Sequence, residues 1–459
     1  MTTTTKLLLS GLLTLGCTLP ALAQPEVTSE AAPEIAADPA PEATPAETFA
    51  DDALMEALPS LPLFNPFNSP FQQQNFVPDI SLILDASAGG RSLDNAAYGT
   101  LPVPLSLHGQ PDLHHAMNTR NGFNFNYAEL TMSAPVDPYI DLFTTFHLSP
   151  YEFEIEEAYF NTRALPWNLQ LKSGKFLSHF GRINPQHAHF WSFNDQPLIN
   201  QAFFGNHGLN ELSLRLNWLA PLDFYLDLGL ELLQGENRAS FGTQGFTSGD
   251  YSLAEVNGPT LWVATAKTSL DLDDNLVLLG GVSYAQGGLR FVADAEAGGD
   301  LHVHQVTAAE AFENLAGSSR ILGLDLSLRW FIDSYRELSW QSEWLWRQLD
   351  GSHYHHGARD PFSLNQSGLY SQLIWRFDQQ WRTGLRADLI TQDSLNTLPG
   401  APLPGRGSAM LEYNPTEFTR FRLQYNLDYS RQLGPDRPLL HEVFLQFNLA
   451  MGAHGAHEF

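Results

Sequence analysis

Cysteine is almost missing from this chain: Cys17 is the only one among 459 residues. Disulfides are therefore excluded, and so are metal sites built on thiolates. Positive charge is scarce as well, with 24 Lys and Arg against 51 Asp and Glu and a formal net charge of −27. That balance excludes nucleic acid as a partner, because neutralising phosphates takes clustered Lys and Arg. Past the first 23 residues no apolar run reaches the ~20 residues a membrane-spanning helix requires. Also lacking are a glycine-rich phosphate cradle, an HExxH helix and a serine nucleophile with a placed base. His147, on the same strand as Asp141, is the one hint of acid–base chemistry, and an enzyme is not expected. What the chain has in quantity is aromatic side chains: 30 Phe, 14 Tyr and 10 Trp, with charged residues at only 16%.

Residues 1–23 have the layout of a secretory signal peptide. Lys6 supplies the charge, Leu7 to Leu15 the apolar core, and Ala21-Leu22-Ala23 a small-x-small cleavage site. Residues 24–77 form an acidic Pro/Ala-rich tether, expected to be disordered because it has too little apolar surface to offset ordering. Its last part, 54–71, is more apolar but broken by Pro59, Pro62, Pro66 and Pro70, and reads as a linker. Residues 78–459 alternate with period 2, which sets successive side chains on opposite faces of a strand.

Sixteen candidate strands run from 79–87 to 440–450, among them 122–133, 139–148, 152–162, 168–177, 275–286, 336–348 and 367–377. Short links such as 164–167, 220–222 and 333–335 alternate with long ones such as 88–121, 178–207, 234–258, 287–319 and 349–366. Tight turns on one rim and long loops on the other are the mark of an antiparallel transmembrane β-barrel, and an even count puts both ends on the periplasmic side. In 320–332, Leu322, Leu324, Leu326, Leu328 and Trp330 face lipid, while Asp325, Ser327 and Arg329 face the lumen. Two strands resist the rule: Glu157 falls on the apolar row of 152–162, which suggests a bulge, and neither row of 275–286 is clearly polar. Export, the absence of cysteine past the leader and the barrel pattern together point to the bacterial outer membrane, with its lipid and its assembly machinery as partners. The terminal Phe459 suits that machinery, and a side-by-side homotrimer is plausible for a barrel of this size.

The inward rows hold Lys172, Arg215, Lys267, Arg329, Glu343, Arg347, Arg386, Arg420 and Arg422, candidate pore-lining groups that would set the field met by small hydrophilic solutes or ions. Paired charges that merely keep a barrel interior rigid would give the same pattern. The loop 178–207 is the expected constriction and carries His179, His187 and His189. Together with His302, His304, His353, His355 and His356 on other outside loops, these are candidate ligands of Zn²⁺ or a similar ion. No other cofactor is indicated.

The run from Glu156 to Pro221, notably Gly174-Lys175-Phe176, Asn184-Pro185-Gln186-His187-Ala188-His189 and Asp195-Gln196-Pro197-Leu198, resembles outer-membrane proteins labelled zinc-regulated TonB-dependent receptor-like. More distantly, it is similar to phosphate-selective porins. The resemblance implies a link to zinc supply and to energised uptake. Roughly fifty residues ahead of the barrel are too few for a globular plug, and sixteen strands fall short of the 22 of energised receptors. The expectation is therefore a passive porin-like channel, with a zinc receptor or a structural, adhesive barrel of occluded lumen as its rivals.

Overall fold

The computed structural model describes residues 78–99, 101, 104, 105, 107, 117–150, 152–163, 165–292, 314–355, 357–393, 403–431 and 438–452. The expected leader and tether lie outside these residues, as do His302, His304 and His356. The strands are β1 Asp79–Arg91, β2 Gly122–Pro135, β3 Ile140–Leu148, β4 Phe153–Thr162, β5 Leu169–Leu177, β6 Asn210–Leu219, β7 Tyr225–Leu233, β8 Phe246–Ser248 and β9 Tyr251–Leu253. They continue as β10 Leu261–Asp273, β11 Leu276–Val292, β12 Asn314–Phe331, β13 Glu337–His355, β14 Ala358–Arg376, β15 Trp381–Asp393, β16 Gly405–Thr416, β17 Thr419–Asp428 and β18 Leu440–Gly452. All but β8 and β9 close into one antiparallel barrel of 16 strands, in which β1 pairs with both β2 and β18. β8 and β9 form a separate hairpin between β7 and β10.

The outward rows are exposed and apolar. Leu212, Leu214, Leu216 and Trp218 on β6, and Val443, Leu445 and Leu449 on β18, stand free of any protein neighbour that would bury them. Such a surface is stable only against hydrocarbon, and no helix among the described residues is long and apolar enough to cross a membrane. The protein is a barrel of the bacterial outer membrane.

Both strands that resisted simple alternation have a physical reason. In β4 the register shifts opposite Thr145/Phe146, so that Phe146 meets Ile155 and Thr145 meets Glu157. Glu156 is the extra residue, and the bulge keeps Phe153 and Ile155 on the lipid side while turning Glu157 inward. In β11 the inner row is Gly281, Ser283, Ala285 and Gly287, small because other side chains fill the space in front of it. A Cβ on Gly287 would stand 3.0 Å from the Phe241 ring, and one on Gly323 of β12 would stand 2.8 Å from Phe180.

Those occupants come from the outside loops, which turn into the barrel. Phe180, Ile183, Trp191, Ile199, Ala202, Phe203 and Phe204 of 178–207, with Phe241 of 234–258, pack against Val263, Ala285, Ile321, Leu345, Tyr370 and Ile390 of the wall as one buried apolar cluster. The helix Leu198–Phe204 lies at its centre, and six of its seven residues are buried. The lumen therefore holds a packed core at this level rather than a column of water.

A carboxylate–imidazole cavity in the plugged lumen

The loop is held from the wall by arginines. Arg420 Nη1 donates to the His189 carbonyl at 2.8 Å, Arg422 Nη2 to that of Trp191 at 2.9 Å, and Arg386 Nη1 to that of Asp195 at 2.8 Å. Arg406 Nη2 reaches the Gln196 carbonyl at 2.8 Å, and Arg347 reaches the carbonyls of Leu105 and Ala239 at 2.7 and 2.8 Å. The Asp195 carboxylate is the loop's own anchor. It accepts from Arg386 at 2.6 Å and lies 3.0 Å from Arg406, with Gln424 and Asn426 donating at 2.8 and 2.9 Å. Burial would raise its pKa, but Arg386 and Arg406 hold it well below the usual carboxylate range.

Each expected pore-lining residue can now be placed. Arg215, Glu343, Arg347, Arg386, Arg420 and Arg422 face the lumen but are buried, so they meet loop and wall groups where water was expected. Arg215 pairs with Glu231 at 2.8 Å and Asp227 at 3.0 Å, and Glu343 accepts the Arg182 N–H at 3.2 Å. Lys267 donates to the Gly181 carbonyl and lies 3.3 Å from Asp325. Lys172 sits 3.7 Å from the Tyr159 ring centroid. Arg329 is partly exposed and pairs with Glu337 at 2.8 Å. The physical reason is that loop 178–207 does more than narrow the lumen: its apolar side chains occupy it. Arg406 escaped the sequence reading because β16 begins at Gly405, earlier than the alternation showed.

The candidate metal residues fall into separate groups. His353 and His355, expected on a loop, stand on β13, because the pairing of β13 with β14 continues out to His355 and Ala358. Their rings are 4.6 Å apart, and His355 Nε2 lies 2.7 Å from Asp360 at the exposed outer end. Burial, with Arg215, Lys172 and Lys267 nearby, holds the His179 imidazole well below the ordinary value.

His187 and His189 enter a nest of carboxylates that the sequence reading missed. His187 Nε2 lies 2.8 Å from Glu157 Oε2, while its Nδ1 faces Glu156 Oε2 at 3.3 Å and Glu129 Oε2 at 3.6 Å. His189 Nδ1 lies 3.2 Å from the same Glu129 oxygen. Burial would lower the His187 pKa, but Glu129, Glu156 and Glu157 together raise it well above the ordinary value. Beside this nest is a cavity lined among others by Tyr127, His147, Glu154 and His207. Two signals pointed here. The misfit of Glu157 marked the bulge, and Tyr127 and Glu129 are polar residues two apart on the inward row of β2.

No family model matches the chain. An uncharacterized protein of Aquifex aeolicus (strain VF5) is 44% identical over 397 residues, spanning 85% of this chain and 82% of that one. The chain belongs to the same family as that protein. Among solved structures, the anion-selective porin from Comamonas acidovorans superposes with a TM-score of 0.50 at 11% identity, over 82% of this chain and 100% of the porin. The outer-membrane channel DcaP of Acinetobacter baumannii gives 0.47 at 9% identity, over 83% and 98%. The porin likeness extends to the fold: a closed outer-membrane barrel of porin size.

Proposed function

We propose that this protein is an outer-membrane channel of narrow bore that passes small hydrophilic solutes or ions down their gradients, with loop 178–207 as its gate, and that it serves zinc. The observation that carries this reading is what closes the lumen. The obstruction consists of loop segments held by hydrogen bonds and apolar contacts, while the wall is complete around them. A barrel of this size with its loops withdrawn encloses an aqueous channel. The zinc part rests on His187 and His189 meeting Glu129, Glu156 and Glu157 at the loop–wall boundary. Catalysis has no support in the resemblance to porins, and a side-by-side trimer belongs to the same reading.

One observation favours a second reading. The apolar cluster runs from the loop to Val263, Ile321 and Leu345 on the wall, as a receptor that captures metal without conducting would require. Recordings in planar bilayers, with and without Zn²⁺, separate the two. Ohmic steps that zinc diminishes are expected of the channel. Saturable zinc binding without current would establish the receptor, and neither current nor binding would leave a structural barrel.

A further inference from the structure

The cavity beside loop 178–207 contains an arrangement of donor atoms that an ion-pair cluster alone does not explain. One donor atom each of Glu129, Glu156 and His187 lies within 4.8 Å of the other two, and His187 Nδ1 is 3.3 Å from Glu156 Oε2 and 3.6 Å from Glu129 Oε2. Glu156 Oε2 and His187 Nδ1 are buried and face each other at 3.3 Å, with no other hydrogen-bond partner. Tyr127, which lines the same cavity and is 2% exposed, has its hydroxyl unpartnered as well. A buried polar atom left without a partner costs about 1–3 kcal/mol, so the Tyr127 hydroxyl beside this donor set calls for a ligand.

We propose that Glu129, Glu156 and His187 bind a divalent transition-metal cation of the zinc class, bridging the barrel wall to the gate loop. The donor spacing fits. Ligands held about 2.0–2.1 Å from a tetrahedral zinc are about 3.3–3.4 Å apart, close to the two distances seen here. The imidazole among the donors argues against Ca²⁺ and Mg²⁺, which take oxygen. The surroundings are those of a metal-bound histidine. With Nδ1 given to the metal, Nε2–H donates to Glu157, the carboxylate that fixes tautomer and ring orientation. His189 steadies Glu129 in the same way through its Nδ1. Three protein donors leave a fourth position open, toward the cavity that Tyr127 lines.

Each donor is placed by a different piece of the fold. Glu129 comes from the regular inward row of β2, Glu156 is the extra residue of the β4 bulge, and His187 stands on the gate loop. Access is available where β4 and β5 part. They pair only over Ala158–Asn161 and Lys172–Lys175, and beyond that point the partly exposed Glu154 and His207 line the cavity. A cation bound here ties the loop to two wall strands, so occupancy holds the gate shut. This deepens the zinc part of the proposed function and rests on it for the choice of cargo, whereas the site itself does not require that the lumen conduct.

The test is calorimetric titration of the chelator-treated, detergent-solubilised full chain with Zn²⁺, paired with the visible spectrum of the Co²⁺-loaded protein. The expected result is saturable binding at this site, a cobalt spectrum of a four-coordinate nitrogen–oxygen set, and loss of both in Glu156→Gln. Glu157→Gln, a positioning change, weakens affinity by about 10–100-fold while the four-coordinate spectrum persists at saturating cobalt. Zinc titration unchanged by Glu156→Gln and by Glu129→Gln would overturn the site. So would a wild-type cobalt spectrum showing only six-coordinate solvated ion, which needs no variant to fold. Bilayer current from the same preparations tests the other reading separately. Binding without current overturns the channel alone, and current without binding overturns the site alone.

Discussion

Asp195 offers the sharpest perturbation of the gate. Its carboxylate lies 2.6 Å from Arg386 and 3.0 Å from Arg406, guanidinium groups that are 3% and 5% exposed. Asp195→Ala leaves both facing an empty space, with Asp388 as their remaining counterion at 3.0 and 3.5 Å. Removing one partner of a buried ion pair costs about 3–5 kcal/mol, which lowers the docked-to-undocked ratio of the loop by roughly 10²–10⁴-fold. The barrel itself should survive, because its ladders do not involve this residue. In planar bilayers the variant should spend a far larger fraction of time in a high-conductance state than the wild type. Asp195→Asn keeps an acceptor for Gln424 or Arg386 and should fall between the two. Closed times that are the same in wild type and Asp195→Ala would refute the idea that this anchor holds the loop.

Other consequences follow from the same packing. His179 is held well below its ordinary pKa, so its neutral form contributes stability that is present above the unfolded value of about 6.5 and is lost as pH falls toward the folded value. Loop protection from proteolysis after Arg182 should thus decline below about pH 6.5, and His179→Gln should abolish that acid sensitivity. Phe203 is fully buried with the Arg347 guanidinium 4.3 Å from its ring. Phe203→Ala should weaken loop docking by about 3–5 kcal/mol, read as faster amide exchange over 198–204 with the barrel strands unchanged. Gly323→Val would push a side chain into Phe180 and should cost about 1–3 kcal/mol in the same assay, while Gly90→Ala, which meets nothing within 4 Å, should cost little.

The alternation of β6, β12 and β18 made the barrel legible, because a single period-2 rule governs any strand between lipid and lumen. It also made Glu157 visible as a misfit, and the bulge it marks is what brings Glu156 to the site. The filling of the lumen was not legible in the same way. Phe180, Ile199 and Phe203 belong to a loop without periodicity, and only the small inner row of β11 hinted that something large sits opposite. Likewise His187 and His189 could be read as chelating residues. Their partners Glu129 and Glu156 lie nearly sixty and thirty residues earlier, joined to them only by closure of the barrel. The outer ends of β13 and β14 were misjudged because polar residues that pair beyond the membrane obey no lipid-facing rule.

The most direct measurement is thiol accessibility at the centre of the plug. Cys17 is the only cysteine in the chain, so with Cys17→Ser a single introduced thiol reports alone. Ala202 is 1% exposed within the helix Leu198–Phe204, whereas Ser252 on the β8–β9 hairpin is exposed. In intact outer membranes a hydrophilic thiol reagent should modify Ser252→Cys quickly and Ala202→Cys only slowly, with Asp195→Ala speeding the latter. Rapid modification of Ala202→Cys in the otherwise unaltered barrel would contradict a lumen filled by its own loop.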